Sequence, residues 1–178
     1  MSVAFLGLGS NVGARQVHLQ RAVDGLSCCA EVTVGAVSPV YETEAHTLRP
    51  HEEQRSFLNA VVQVRTTRSP EALLRAGQTL EAQEGRAASG ERERWAPRPL
   101  DVDVLAVDDC TVSTDALVLP HPRIGERRFV LRPWADLAPN FVVPPPFDAA
   151  VHVLLDRCPD TGAVTRTSSA LHLPADAP

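Results

Sequence analysis

At 178 residues, 44% of them hydrophobic, the chain fits one compact domain with a single core, and its composition excludes a disordered polypeptide. No apolar run reaches the roughly 18 residues of a membrane span, and the opening MSVAFLGLGSN lacks the basic start of a signal peptide, so no membrane association and a cytoplasmic location are expected. The net charge of −5 speaks against a general nucleic-acid binder, and all 17 basic residues are arginine, which excludes a lysine-bearing Walker A loop.

Residues 3–8 form a short apolar run closed by Gly9-Ser10-Asn11, which reads as a buried strand leading into a helix. Leu19, Ala22, Val23 and Leu26 keep helical spacing, so a helix is expected over about 13–27. Residues 31–43 are rich in Val and Thr and read as one strand; 44–55 read as a loop; 56–65 read as a further strand. Ser69-Pro70-Glu71 supplies an N-cap, a proline at the first helical position and an acid in the first turn, so a helix runs from there to about Gly85. The charged segment 86–95 has no period and reads as a mobile loop. Residues 99–107 are a strand, 129–138 a helix ending at Pro139, and 148–157 a short amphipathic helix. Cys28, Cys29, Cys110 and Cys158 show no metal-ligand or disulfide spacing and read as small buried hydrophobes.

The order β-α-β-β-α-β predicts an α+β fold: a ferredoxin-like antiparallel sheet flanked by helices, with C-terminal helical additions. One domain is expected over residues 1–167, with a disordered tail over 168–178.

The chemistry concentrates in Leu100-Asp101-Val102-Asp103-Val104. Alternate residues of a strand share a face, with side chains about 6–7 Å apart, so both carboxylates project together while their neighbours face the core. Two adjacent anions repel unless a divalent cation neutralises them, and Mg²⁺ held by one or two carboxylates plus phosphate oxygens is a common nucleotide arrangement. A solvated strand face is the plainer alternative for an isolated Asp-x-Asp. The flanking segments favour the metal: Arg94-Trp95-Ala96-Pro97-Arg98 precedes the pair, and Pro120-His121-Pro122-Arg123 and Arg127-Arg128-Phe129 follow it. Guanidinium groups can grip phosphate bidentately, and His121 can donate to a phosphate or move a proton.

These segments, RWAPRPLDVDVLAV and LPHPRIGERRFVLRPWADLAP, resemble the 6-hydroxymethyl-7,8-dihydropterin pyrophosphokinases of folate biosynthesis. The opening LGLGSN, VYETE, FLNAV and QTLEAQEGR are similar to further family motifs in the same order, so the resemblance spans about residues 1–157. It implies a magnesium-dependent diphosphotransferase that moves pyrophosphate from ATP to 6-hydroxymethyl-7,8-dihydropterin. By the same resemblance Asp101 and Asp103 would hold two Mg²⁺ ions. Arg86 and Arg98 would act on the phosphates. Gln78, Glu81, Trp95, His121 and Arg127 would lie on the ATP side, and Thr43, Phe57, Asn59, Phe129 and Trp95 on the pterin side. The expected partners are these two small molecules, with no nucleic acid, and the chain is expected to be a monomer. Ala96 and Pro99 depart from the family's usual Gly and Thr. A ferredoxin-like nucleic-acid module and another Asp-x-Asp nucleotide transferase are the alternatives. Net acidity opposes the first, and the second leaves the Pro-His-Pro-Arg segment unexplained.

Overall fold

The computed structural model describes residues 1–44, 55–85 and 98–173. The chain runs β1 (Ser2–Ser10), α1 (Arg15–Ser27), β2 (Val32–Val37), β3 (Tyr41–Thr43), β4 (Phe57–Thr66), α2 (Pro70–Gln83) and β5 (Asp101–Val107). There follow β6 (Val112–Ser113), β7 (Val118–Leu119), a 3-10 turn (Ile124–Glu126), α3 (Arg128–Leu137), β8 (Val142–Val143), β9 (Ala149–Ala150), α4 (Val151–Arg157) and β10 (Val164–Arg166). The main sheet has the order β10-β3-β4-β1-β5, with β2 also paired to β4, and every pairing is antiparallel. The α+β expectation thus holds in its coarse form, an antiparallel sheet with four helices.

Strand alternation gives the sheet two apolar faces. Ala4, Leu6 and Leu8 of β1, Leu58, Ala60 and Val62 of β4, and Val102 and Val104 of β5 pack with Leu19, Val23 and Leu26 of α1 and Leu73 and Leu80 of α2. The intervening Phe5, Val61 and Leu105 pack under Leu131 and Trp134 of α3 and Leu154 and Leu155 of α4. Phe5 lies against Trp134 with ring centroids 5.1 Å apart and against Phe141 at 4.6 Å, within the range where aromatic pairs attract. The start of α2 is built as its sequence predicts, with the Ser69 hydroxyl accepting from Ala72 N and Pro70 leading the helix.

Three local expectations change. The single strand over 31–43 is broken at Ser38-Pro39-Val40, where proline has no N–H to give a ladder. Ser38 bridges the break: its N–H donates to Val61 O at 2.9 Å and its hydroxyl accepts from Val61 N at 2.8 Å. The cysteines are free and not fully buried, Cys28 being exposed and the other three half-buried. The stretch from 168, expected to be disordered, is fastened to α1 as far as His172. Gln16 Nε2 donates to Ala170 O, and the Gln20 amide both donates to and accepts from the His172 backbone.

β5 carries one extra residue against β1. Phe5 faces Ala106 while Leu6 faces Val104, so Leu105 is bulged. Leu105 and Ala106 both join the core beneath α3 and α4, and the Leu105 carbonyl accepts from His121 N at 2.8 Å. The bulge therefore anchors the Pro120-His121-Pro122 turn next to the acidic end of β5.

Candidate active site

Beyond the cover of α3 the second face of the sheet lies open, and there the strands make the floor of a cavity of about 680 Å³. Gly7 and Gly9 of β1 lie at its centre, with Phe57 and Asn59 of β4 on one side and Asp101 and Asp103 of β5 on the other. The walls are Arg98, Arg123, Glu126, Arg127 and Phe129, with Thr43 and Glu44 at the end of β3 and Pro159-Asp160 from the C-terminal segment. Glycine at position 9 keeps the floor open: a Cβ there would lie 3.3 Å from Asn59 Oδ1 and 3.7 Å from Asp101 Cβ.

Each floor carboxylate has an arginine. Arg98 Nη1 lies 3.1 Å from Asp101 Oδ1, and Arg127 Nη1 donates to Asp103 Oδ2 at 2.9 Å. Arg98 is set from behind by Asn11, whose side-chain oxygen accepts from Arg98 N at 2.8 Å and whose backbone N–H donates to Arg98 O at 3.1 Å. Arg127 immediately precedes α3 and its guanidinium lies 5.8 Å from the centre of the Phe129 ring, within cation–π range.

His121 stands beside this pair rather than on the cavity wall, with Nε2 4.0 Å from Asp103 Oδ2. Burial pushes its pKa below the ordinary histidine value; Asp103 opposes that shift, while Arg127 and Arg123 reinforce it. The ring Nδ1 accepts from Arg123 N at 3.2 Å, so a neutral His121 carries its proton on Nε2, the nitrogen that faces Asp103.

At the other end of the cavity the buried Asn59 donates from Nδ2 to Thr43 Oγ1 at 2.8 Å, which orients the amide oxygen toward the Gly9 floor. Phe57 is held at the start of β4 by a node just outside. Arg15 Nη1 donates to Glu42 Oε1, to Ser56 O and to Ser56 Oγ, and Ser56 Oγ donates to Glu42 at 2.6 Å. The cavity is thus cationic and acidic at the β5 end, flat and amide-lined at the β3–β4 end.

Of the residues singled out from sequence, Thr43, Phe57, Asn59, Arg98, Asp101, Asp103, Arg127 and Phe129 all line this cavity. Gln78 is exposed on α2, whereas Glu81 is buried and its carboxylate accepts from Val102 N at 2.9 Å. Neither lines the cavity. Arg86 and Trp95 lie outside the described residues. Sequence reasoning missed Gly7 and Gly9 as a floor, although two glycines inside a strand signal close approach of another group. It also missed Asn11, Glu126 and Asp160. Asp160 carries no local signal, since it sits in an irregular segment after α4.

A sequence model of the 7,8-dihydro-6-hydroxymethylpterin-pyrophosphokinase family matches residues 5–139, three quarters of the chain. The 2-amino-4-hydroxy-6-hydroxymethyldihydropteridine pyrophosphokinase of Bacillus subtilis is 41% identical over 137 residues, covering 76% of this chain and 78% of that one. The protein of the same name from Methylorubrum extorquens is 41% identical over 143 residues, covering 80% and 87%. In three dimensions the chain superimposes on the HPPK-DHPS of Plasmodium falciparum with a TM-score of 0.67 at 13% identity, over 88% of this chain and 44% of that longer one. The chain spans less than half the length of that solved structure, and at such identity the likeness speaks for the fold alone. Sequence and fold agree, and the chain belongs to the 7,8-dihydro-6-hydroxymethylpterin-pyrophosphokinase family.

Proposed function

We propose that this chain transfers the pyrophosphoryl group of ATP to 6-hydroxymethyl-7,8-dihydropterin in folate synthesis, giving AMP and the pterin diphosphate. The observation that carries the reading is one cavity with two unlike ends: Asp101 and Asp103 with Arg98 and Arg127 at one, Phe57, Asn59 and Thr43 at the other, and Phe129 on the wall beside Arg127. Charge belongs with a triphosphate, and a flat amide-lined slot belongs with a pterin ring. The antiparallel order β5-β1-β4-β3 supports a ferredoxin-like arrangement. A cytoplasmic monomer fits the family's small-molecule chemistry, and no helix among the described residues is long and apolar enough to cross a membrane.

The donor set suits Mg²⁺. Among the described residues no group of three or more His, Cys, Asp or Glu is poised around a common point, so a cage made by protein alone is not built. Two adjacent carboxylates in a cavity wide enough for phosphate oxygens and water are what Mg²⁺ takes beside a nucleotide. Asp101 and Asp103 would hold two ions, whose contribution is to neutralise charge on the phosphate oxygens.

The protein's own part is positioning. Arg98 and Arg127 stand 3.1 and 2.9 Å from the two carboxylates, so their guanidinium charge is already in place for phosphate oxygens, and Asp101 and Asp103 would be the residues that hold the metal. Neutral His121 offers its Nε2 proton to a phosphate oxygen. Phe57 and Phe129 hold the pterin plane while Asn59 and Thr43 read its edge. The hydroxymethyl oxygen then attacks the β-phosphorus of ATP, its bond to the α-phosphate oxygen breaks, AMP leaves, and the hydroxyl proton passes to solvent. No side chain need become a covalent carrier.

The test is to incubate the protein with ATP, Mg²⁺ and 6-hydroxymethyl-7,8-dihydropterin. AMP and the pterin diphosphate should appear in equal amounts, and Asp101→Asn or Asp103→Asn should abolish both. ADP in place of AMP, or full activity in either variant, overturns the reading.

A further inference from the structure

α3 begins without a cap of its own. Arg127 occupies the N-cap position, where it offers no side-chain acceptor, and the first turn contains no acid. The first N–H groups of a helix need acceptors from elsewhere, and an anion placed there also meets the favourable end of the helix dipole. Asp160 supplies both from beyond residue 139, where the family match ends. Its Oδ2 accepts from Arg128 N at 3.2 Å, and its Oδ1 accepts from Gly162 N at 2.8 Å, closing a turn. Arg128 stands between Arg127, which grips Asp103, and Phe129, which lines the same cavity.

The same segment then crosses to the opposite wall. Val164 pairs with Thr43 and Arg166 with Tyr41, while Thr167 donates from both N and Oγ1 to Val40 O. Only three residues separate Asp160 from Val164, and four Cα–Cα steps span at most about 14 Å. The start of α3 and the strand bearing Thr43 are therefore kept within a limited reach by one short tie, and Phe129 and Thr43 sit on its two sides.

Resting on the proposed pterin substrate, we propose that Asp160 is a positioning residue for this enzyme: by capping α3 it sets the gap between Phe129 and the Thr43 strand into which the pterin ring fits. Asp160 also stands on the cavity wall, and its effect comes through the placement of α3, with no part in phosphate chemistry. Its removal should loosen pterin binding and leave ATP binding and the chemical step in place.

The experiment measures pterin KM, ATP KM and kcat by AMP release, and pterin affinity by calorimetry without ATP, for the full chain. Asp160→Ala should raise pterin KM and the calorimetric Kd about tenfold, the scale of one charge-assisted hydrogen bond, with ATP KM and kcat within about threefold of wild type. Asp160→Asn, which keeps one acceptor oxygen, should recover most of the affinity. If Asp160→Ala fails to fold, Gly162→Ala reads the same point. Its methyl would lie 3.0 Å from Asp160 Oδ1, a crowding that presses on the carboxylate, and should raise pterin KM in the same direction. Unchanged pterin KM and Kd in a folded Asp160→Ala overturn the proposal, as does a fall in kcat with KM unchanged. A wild-type protein that neither binds the pterin nor makes AMP defeats the functional reading instead, and a wild type that binds pterin without making AMP leaves the calorimetric comparison decisive.

Discussion

The carboxylate of Glu81 accepts a hydrogen bond from the backbone N–H of Val102 at 2.9 Å, on the residue that separates Asp101 from Asp103. One helical turn earlier on α2, Gly77 allows the helix to close on the same residue: a Cβ there would lie 2.9 Å from Val102 Cγ1. β5 ends the order of the main sheet, so Glu81 meets an N–H at its edge. Thus α2 clamps the acidic strand by packing and by a buried hydrogen bond together.

Glu81→Leu should therefore destabilise the fold by about 1–3 kcal/mol, because it leaves a buried N–H unpaired, while Glu81→Gln should keep most of the stability by keeping an acceptor. Urea unfolding of the three proteins checks this. Equal stabilities for wild type and Glu81→Leu would show that the bond holds nothing in place.

On the proposed metal site, Arg127 and the ion would compete for Asp103. With the ion pair at 2.9 Å and both groups partly exposed, its loss should be worth little in stability but should be visible in binding. Arg127→Ala is expected to bind Mn²⁺ about two- to fivefold more tightly in the absence of nucleotide, because partly exposed pairs contribute at most about 1 kcal/mol. AMP formation should nonetheless fall about a hundredfold or more, since the phosphate loses a placed cation. Paramagnetic resonance titration gives the first number and product assay the second. Weaker Mn²⁺ binding in the variant would show that Arg127 supports the metal site instead of restraining it.

Gly9 is a test of the cavity floor. Gly9→Ala puts a methyl 3.3 Å from Asn59 Oδ1 and 3.8 Å from Phe57 Cδ1, in the open part of the cavity and not in the core. Thermal stability should change by less than about 1 kcal/mol, as for a substitution that buries nothing. Pterin affinity should drop several-fold, because the ring would have to lift off the floor. Calorimetric titration with the pterin distinguishes this from an unchanged slot.

Much of this arrangement is legible in the sequence where the signal is local and periodic. Ser69-Pro70-Glu71 announces the start of α2, and the alternation at 100–104 puts Asp101 and Asp103 on the face away from Val102 and Val104. The motifs that name the family also bring Arg98, Arg127, Phe57 and Asn59 into one cavity. Other features depend on partners far along the chain. Period two tells which way Val102 points but not that its N–H meets Glu81, 21 residues earlier. The Leu105 bulge is a count of one residue against β1, invisible within β5 itself. β10 is three residues long, too short to show a pattern, and Asp160 caps a helix from 32 residues away. Pro39 is a local signal for the break after β2, and the β-branched residues on both sides of it give the whole of 31–43 the composition of a strand.

The node beneath Phe57 has a pH signature. Hydrogen bonds from Ser56 and then Arg15 hold the Glu42 carboxyl below its ordinary value of 4.5, against a smaller opposing effect of burial. A carboxyl whose folded pKa is depressed favours the folded state above its unfolded pKa, and that contribution fades as pH falls through the lower folded value. The stability difference between wild type and Glu42→Gln should therefore be constant from neutral pH down to about 5. Below 4.5 it should shrink as the wild-type carboxyl takes up its proton. Because Glu42 is substantially exposed, the difference itself should be small, and chemical unfolding at closely spaced pH values is the suitable measurement. The same variant should raise pterin KM at pH 7, since Arg15 and Ser56 would lose the carboxylate that holds the entry to β4. A stability difference that persists undiminished to pH 3 would mean that Glu42 is not held ionised by this node, and the link from Arg15 to Phe57 would then rest on the Ser56 contacts alone.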